Sequence, residues 1–484
     1  MPPNCQKSLD VHTFSMNNRL YALHVPSGLV FEIDSSEMAI LGLYNVVDDW
    51  AEIVHRLSER FSEEKVHAGI HQVDKLIRFN SAFQSPSPRK YTDRDFKGFN
   101  ISASVLCNLR CEYCYAIRSR RTFRPKVMPR EVIKRTIEHF ERMCLETEAD
   151  EIGVVYGLSG EPLLNKDLLH FAYRACKDLG KRIGKKINFS LTTNGTAFTD
   201  EIIQFIREGD VSLYISLDGP KELNDTLRPL ASGRGSYDIV VRNAQKVLDR
   251  IVMVQATLSP RFPYLVDVVT HLLDLGFRKV RVKPLVGSPL TEGDLQALKG
   301  AYSEYARFVA QQLVSRNESI LRAINFNDFF GRFLLRILLG INIYYRCEAT
   351  NASVAVAPDG RLFPCDMFLA TDQSVGNIID GLDSGAKEIW RKLYVDKKET
   401  CRNCWARYFC GGGCYYNAYI ATGDIRKPDP MECDLVCHIV EQAIWTADTV
   451  ERQDESAYAH LLRHAVAEIG GCPRECLVVT AQVV

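Results

Sequence analysis

Three cysteines stand close together in Cys107-Asn108-Leu109-Arg110-Cys111-Glu112-Tyr113-Cys114-Tyr115, at the spacing C-x3-C-x2-C. Three thiolates in one short loop can hold three corners of a 4Fe–4S cube, whose full complement is four protein thiolates. The fourth iron is then open, and an open coordination position marks a catalytic rather than a structural metal site. The alternatives are a zinc knuckle or three buried free cysteines, but zinc sites usually pair their cysteines two by two.

A second cysteine field lies towards the C-terminus. It reads Cys347-x12-Gly360-x4-Cys365, then Cys401-x2-Cys404-x5-Cys410-x3-Cys414, then Cys433-x3-Cys437. Eight cysteines are the number that two fully ligated 4Fe–4S clusters need. Gly411-Gly412-Gly413 supplies unhindered backbone for a chain that folds around a cluster. Zinc is again the alternative, although the set holds no histidine. Of the remaining cysteines, Cys144 and Cys176 sit in amphipathic helical runs and read as buried small hydrophobes. Cys5 has no partner at metal spacing, and Cys472-x3-Cys476 is a possible metal or redox pair. Sixteen cysteines clustered this way in a chain of 484 residues point to metal binding in a reducing compartment rather than to disulfides.

The elements that must position these groups follow from the rest of the chain. The length predicts two or three domains, and 46% hydrophobic with 25% charged residues is ordinary for a globular protein. The formal net charge is zero, so no global field draws the chain to nucleic acid or anionic lipid. The N-terminus carries no apolar run of signal-peptide length and nowhere do 18 apolar residues follow one another, so no membrane span and a cytoplasmic location are expected. Apolar bursts at His12 to Ser15, Leu20 to Val25 and Leu29 to Ile33, separated by turn residues, predict three strands. Asp34 or Ser35 then caps the first of three helices, the others lying around Trp50 to Phe61 and Ser62 to Phe79. Ser85-Pro86-Ser87-Pro88 marks a linker over 85–95. Beyond it, strand runs at Phe99 to Leu106, Glu151 to Tyr156, Ile187 to Leu191, Val211 to Ser216, Val252 to Thr257 and Val280 to Lys283 alternate with helical stretches. Six βα units predict a parallel sheet whose active site lies at the strand C-terminal ends, where the three cysteines fall. Bridging helices are expected over 293–340, the second cysteine field over 341–450, and 451–484 is unassigned.

C-x3-C-x-Tyr-C behind a first strand resembles the signature of the radical S-adenosylmethionine (SAM) enzymes. That resemblance implies an α/β fold, a partial (β/α)6 TIM-like barrel. It implies a 4Fe–4S cluster on Cys107, Cys111 and Cys114 whose open iron binds SAM, and reductive cleavage of SAM to methionine and a 5′-deoxyadenosyl radical. Ser159-Gly160-Glu161-Pro162 resembles the family's Gly-Gly-Glu-Pro motif, which lines up with the SAM amino group, except that Ser159 replaces the first glycine. Thr192-Thr193-Asn194-Gly195 and Ser216-Leu217-Asp218-Gly219 follow the next two strands. Ser216 and Arg228 match SAM contacts of the sulfatase-maturating relatives, and Tyr113 matches a residue that packs on the adenine. With Ser159, Gly160, Glu161 and Asn194, they make the implied SAM site.

The second field is similar to the SPASM domain of peptide-modifying radical SAM enzymes. The likeness assigns Cys347, Cys365 and Cys414 to an inner auxiliary cluster and Cys401, Cys404, Cys410 and Cys433 to an outer one. Cys437, one helical turn beyond Cys433, is taken as the inner cluster's fourth ligand. Three clusters in all are implied, with a flavodoxin- or ferredoxin-type electron donor. Asp366, directly after Cys365, matches an aspartate that deprotonates the substrate in sulfatase-maturating relatives, the alternative being a turn carboxylate that caps backbone amides. Residues 1–84 resemble the winged-helix peptide-recognition element of peptide-modifying enzymes, the fold of the pyrroloquinoline-quinone peptide chaperone. The third helix balances Glu63, Glu64 and Asp74 against Lys65, Lys75 and Arg78, so it lacks a DNA reader's basic face.

The expected function is modification of a ribosomally made precursor peptide that carries a leader, by hydrogen abstraction and closure of an intrapeptide crosslink such as a thioether. Formylglycine formation and a non-enzymatic iron–sulfur sensor are the alternatives. The basic stretch Arg118 to Lys126 is a solvated segment or a lip for acidic peptide. Anaerobic reconstitution should give about twelve iron and twelve sulfide per chain. Replacing Cys107, Cys111 and Cys114 together by Ala should remove about four of the irons and all 5′-deoxyadenosine formation. Persistence of that product in the triple variant would overturn the cluster assignment.

Overall fold

The computed structural model describes residues 9–16, 18–47, 49–83, 87–470 and 478–479. Cys5, Cys472, Cys476 and the start of the proposed linker lie outside them. The chain opens with β1 (Val11–Met16), β2 (Arg19–His24) and β3 (Leu29–Ile33), followed by α1 (Ser35–Tyr44), α2 (Trp50–Leu57) and α3 (Glu63–Ala82). Asp34 caps α1 in a full capping box with Glu37, and Ser62 caps α3, as their side-chain chemistry favours. The apolar faces of these elements close over Ala22, Ile40, Leu41, Ile53, Leu57 and Val66. On α3, Arg78 pairs with Asp74 at 2.8 Å and Lys65 with Asp34 at 3.6 Å, so two of its three cations are already neutralised. The three strands are antiparallel in the order β1-β2-β3. β2 is therefore paired on both sides, and β3 keeps an open edge.

A ten-stranded sheet forms the centre of the molecule. Its parallel part is β4 (Gly98–Ile101), β5 (Glu151–Tyr156), β6 (Lys186–Thr193), β7 (Val211–Ser216), β8 (Ile251–Leu258) and β9 (Val280–Pro284), hydrogen-bonded in sequence order. The helices between them are α4 (Ile117–Thr122), α5 (Arg130–Glu146), α6 (Lys166–Ile183), α7 (Asp200–Glu208), α8 (Lys221–Leu227), α9 (Tyr237–Gln245) and α10 (Leu265–Asp274). Strand alternation sorts the side chains. In β7, Val211, Leu213 and Ile215 are buried in the core, while Tyr214 and Ser216 face the interior of the curved sheet. Cys144 on α5 and Cys176 on α6 are fully buried in the same core, as expected. The mixed α/β architecture with a parallel sheet is thus that of a partial TIM-like barrel.

The first barrel strand is shorter than its apolar run. It ends at Ile101: the Ser102 amide makes the last bond of the ladder to the strand beside it, to Val356 O, and beyond it the Val105 amide turns to Lys126 O. Past the barrel come α11 (Glu292–Val314), α12 (Glu318–Ala323) and α13 (Gly331–Leu339), then β10 (Ile341–Asn342), β11 (Ser353–Val356), β12 (Arg361–Phe363), β13 (Gly376–Asn377) and β14 (Gly381–Leu382). β11 lies parallel to β4, pairing Ser353 with Gly98 through Val356 with Ile101, and β12, β13 and β14 add on antiparallel. The second cysteine field therefore extends the barrel's own sheet.

The chain continues through α14 (Ser384–Arg391), α15 (Glu399–Arg402), α16 (Arg407–Cys410), α17 (Tyr415–Thr422), α18 (Pro430–Gln453) and α19 (Glu455–Gly470). α18 is the spine on which the N-terminal strands rest. Asp448 accepts from Tyr21 Oη at 2.9 Å and Arg19 Nη1 at 2.8 Å, and Arg452 pairs with Glu32. Farther along, Arg407 pairs with Asp10, Asn342 Nδ2 donates to Pro26 O at 2.7 Å, and His12 stacks on Trp405 with ring centroids 4.0 Å apart. Among the described residues no helix is long and apolar enough to cross a membrane.

Candidate active site

The strand ends of the barrel enclose a cavity of about 570 Å³. Cys107, Cys111, Cys114, Tyr113, Ser159, Gly160, Glu161, Asn194, Ser216 and Arg228 all line it, and so do Cys365 and Asp366 from the second field. Residues chosen from six separate segments thus meet in one space.

The three-cysteine loop is held by its backbone. The Arg110 and Glu112 amides donate to Pro229 O and Leu227 O, both at 2.9 Å, and the Ala231 amide to Asn108 O at 2.8 Å. Burial pushes the Cys111 thiol up to about 11, and the nearby Arg228 guanidinium opposes that rise. A cluster held by this loop would relieve the cost by taking the sulfur as a thiolate. Tyr113 lies between the loop and the barrel: its hydroxyl donates to Asp218 and accepts from Arg228 Nη1 at 2.6 Å. Asp218 also accepts from the Thr257 amide at 3.0 Å. Arg228, expected as a direct SAM contact, is thereby tied to Tyr113 as well as facing the cavity.

Glu161 is the structural hub. Its buried carboxylate accepts from Thr193 Oγ1 at 2.6 Å, the Asn194 amide at 2.7 Å and the Leu163 amide at 3.0 Å. Burial raises its pKa, and these three donors oppose the rise. Its own amide donates to Leu106 O at 2.7 Å, beside the cysteine loop. Asn194 then reaches Asn108 Oδ1 at 2.9 Å and Cys107 Sγ at 3.7 Å through its Nδ2. Gly160 is required by closeness alone: a Cβ there would stand 2.4 Å from Leu106 O and 2.5 Å from Ser104 O. Ser159, at the position of the family's first glycine, sends its hydroxyl to Asp366 Oδ1 at 3.4 Å.

Asp366 is buried, and its carboxylate accepts from Ser102 Oγ and, at 2.7 Å, from Asn100 Nδ2. Those partners are side chains of β4 and the segment after it, so the carboxylate is bound across the sheet. Burial raises its pKa, and the three side-chain donors lower it in turn. Asn100 and Ser102 were not singled out from sequence. Their signal was polar residues at alternate positions inside the apolar run that begins at Phe99.

In the second field, burial raises the Cys365 thiol and the neighbouring Cys414 and Cys347 add to that, so these three stand together as the inner set. Cys401, Cys404, Cys410 and Cys433 likewise act on one another as the outer set. Cys437 does not join the inner set. It lies beside Cys404, whose thiol it holds below its usual range, and its other neighbours are Cys410 and Cys433. The reason is helical: residues four apart on α18 share a face, so Cys437 looks where Cys433 looks. Five thiols thus lie near one another around Cys404, and three around Cys365. Gly411, Gly412 and Gly413 take φ of 75°, 96° and 73°, the left-handed backbone that lets the chain wrap between the two sets. Among the described residues no three His, Cys, Asp or Glu side chains close on a single ion. In the basic stretch after the loop, α4 begins at Ile117, and Arg121 and Arg124 are exposed.

Residues 101–298 match the model of the Radical SAM superfamily. Over 329 residues the chain is 25% identical to the serine-type anaerobic sulfatase-maturating enzyme of Klebsiella aerogenes, covering 64% of this chain and 76% of that one. It is 21% identical to the radical SAM cyclopropyl synthase TigE of Paramaledivibacter caminithermalis, over 75% of this chain and 77% of that one. Among solved structures, native anSMEcpe with bound AdoMet and Kp18Cys peptide superposes with a TM-score of 0.59 at 20% identity, covering 74% of this chain and 98% of that one. The barrel segment is thus similar to the radical SAM superfamily, and the longer chain is similar to an anaerobic sulfatase-maturating enzyme and to a cyclopropyl synthase.

Gly160→Ala should force the cysteine loop off the strand end. Overpacking of this kind costs about 1–3 kcal/mol, so the variant should melt lower and lose the irons of the barrel site while keeping those of the second field. Full iron content and unchanged melting would show that the close approach is dispensable.

Proposed function

We propose that this radical SAM enzyme modifies a ribosomally made precursor peptide, removing a hydrogen from one residue and joining that residue to a second, as in a thioether. The observation that carries the reading is the single cavity in which the three-cysteine loop meets Cys365 and Asp366 of the second field. When bound, SAM and its cluster supply a 5′-deoxyadenosyl radical there, and auxiliary clusters in the second field supply an electron acceptor. Cys107, Cys111 and Cys114 would hold the first cluster. Ser159, Gly160, Glu161, Asn194, Ser216, Arg228 and Tyr113 would form the SAM pocket. Cys347, Cys365 and Cys414, and the five thiols around Cys404, would hold the other two. The chain's own part is to hold the peptide, orient it, and keep water from the radical.

The N-terminal unit gives this reading its leader site. The open edge of β3 can accept an added strand, and Leu29 and Phe31, 42% and 38% exposed, lie on one face beside that edge. Formylglycine formation is the second reading, favoured by the sulfatase-maturating relatives and by the place of Asp366 beside Cys365. Product chemistry separates the two. A crosslinked peptide loses two hydrogens and gains a bond between two residues, whereas formylglycine is an aldehyde that reacts with hydrazine probes. An aldehyde as the sole product of a precursor peptide would overturn the main reading, and no 5′-deoxyadenosine with SAM and dithionite would overturn both.

Two variants probe the parts. Leu29→Asp with Phe31→Asp removes two apolar contacts worth about 1.5–3 kcal/mol each when buried. Leader affinity should fall at least roughly tenfold, and unchanged affinity would exclude the β3 edge. Asp366→Asn keeps the side chain's size but replaces one acceptor by a donor that faces donors. Peptide product should fall by about 100-fold or more while iron content and 5′-deoxyadenosine persist. Loss of iron would assign Asp366 a structural role, and unchanged product would assign it none.

A further inference from the structure

The wall of the cavity formed by β9 carries two cations that belong to neither the cysteine loop nor the pocket beside it. Arg281 and Lys283 occupy alternate positions on β9 and both line the cavity, while Val280 and Val282 point into the core. The Lys283 side chain has no hydrogen bond or ion pair among the described residues. Arg281 makes one contact, Nη1 to Gln255 Oε1 at 3.3 Å, and its buried Nε has no partner.

The surroundings do not neutralise them. Arg346 and Arg332 lie close behind Arg281, and Arg346 Nη1 is also buried without a partner. The carboxylate in this group is Asp328, which is consumed by backbone amides: Val282 at 2.9 Å, Phe330 at 3.0 Å and Gly331 at 2.8 Å. Arg332 turns its Nε to the carbonyl of Asp328, at 3.1 Å, rather than to the carboxylate. Burial and the neighbouring Arg346 lower the Arg281 guanidinium to about 10. Arg346 has a use elsewhere, since it stands beside Cys347, Cys410 and Cys414. Arg281 and Lys283 face the open space.

Buried charge without a partner is costly, and a cavity wall that keeps two cations is built to receive an anion. The residues read as the SAM pocket come from the loop after β4 and the ends of β5 to β7. They include their own cation, Arg228. We propose that Lys283, backed by Arg281, is a carboxylate subsite for the peptide, holding an acidic side chain or the chain's terminal carboxylate near the residue that is modified. This rests on the peptide-modifying reading above. A lysine and an arginine together suit a carboxylate, which accepts charge-assisted hydrogen bonds from both.

The test uses the reconstituted full-length enzyme with SAM and fluorescein-labelled synthetic peptides. They share a Gly-Ser-Cys backbone with a central Glu, Gln or Lys, and both ends are capped. A fourth peptide has the central Gln and a free C-terminal carboxylate. One charge-assisted hydrogen bond is worth about 1.5–3 kcal/mol, roughly tenfold to a hundredfold in affinity. The wild type should bind the Glu peptide or the free-terminus peptide at least tenfold more tightly than capped Gln, and the Lys peptide least; which of the first two is preferred identifies the source of the carboxylate. Lys283→Gln should erase the preference, and Lys283→Glu should turn it towards the Lys peptide. Equal binding of all four peptides by the wild type overturns the proposal without reference to any variant. So does a preference that survives both substitutions, and so does loss of SAM affinity in Lys283→Gln, which would give this wall to SAM instead. Formation of 5′-deoxyadenosine by the wild type is scored separately: its absence would sink the radical reading and leave the carboxylate result standing.

Discussion

One buried carboxylate fixes the geometry of the barrel mouth. Glu161 gathers Thr193, the Asn194 amide and the Leu163 amide, and so locks the ends of β5 and β6 to each other. Its backbone amide and the absent side chain of Gly160 bring the same corner against Leu106, at the root of the cysteine loop. Asn194 then passes the constraint on to Cys107 and Asn108. Burying a carboxylate is expensive unless each lone pair is met, and three donors meet these. Glutamate at 161 therefore acts as a brace for whatever the cysteines hold.

A second constraint joins the two cysteine fields. The pairing of β11 with β4 places the end of β12 across from Asn100 and Ser102, and so delivers Cys365 and Asp366 to the barrel mouth. The two fields could not share a cavity if the C-terminal strands formed a separate sheet. Burial then sets their electrostatics. The thiols of Cys111, Cys365 and Cys414 are all pushed up, and cations, Arg228 for the first and Arg346 for the last, stand close enough to oppose that cost.

Much of this was legible in the chain. The barrel strands over 151–156 and 211–216 fall where their alternation put them, since each is a short buried run bounded by turn residues. The grouping of the cysteines was legible as well, because thiols at loop spacings must meet wherever the loop goes. What escaped depends on partners remote in sequence. β4 stops at Ile101 and the Val105 amide turns to Lys126 instead, and no local signal announces that. That Cys437 lies beside Cys404 also escaped, because sequence spacing gives a helical face but not the neighbour it faces. Arg281 and Lys283 read as an ordinary strand with polar alternation, and only the curvature of the sheet shows that their face is the interior. The open edge of β3, as opposed to β2, followed from strand order and not from composition.

The β4–β11 pairing also has a bearing on how the chain folds. The two strands are separated by about 250 residues, a long loop to close before any of its contacts reward the closure. While the chain is being made, β4 waits with one edge unpaired and with the cysteine loop directly behind it. The barrel's first strand is therefore among the last to be completed, and a nascent barrel exposes an edge that can pair with a neighbouring chain. Expression that slows synthesis or lowers the concentration of unfinished chains should raise the yield of intact protein more than any change at the surface.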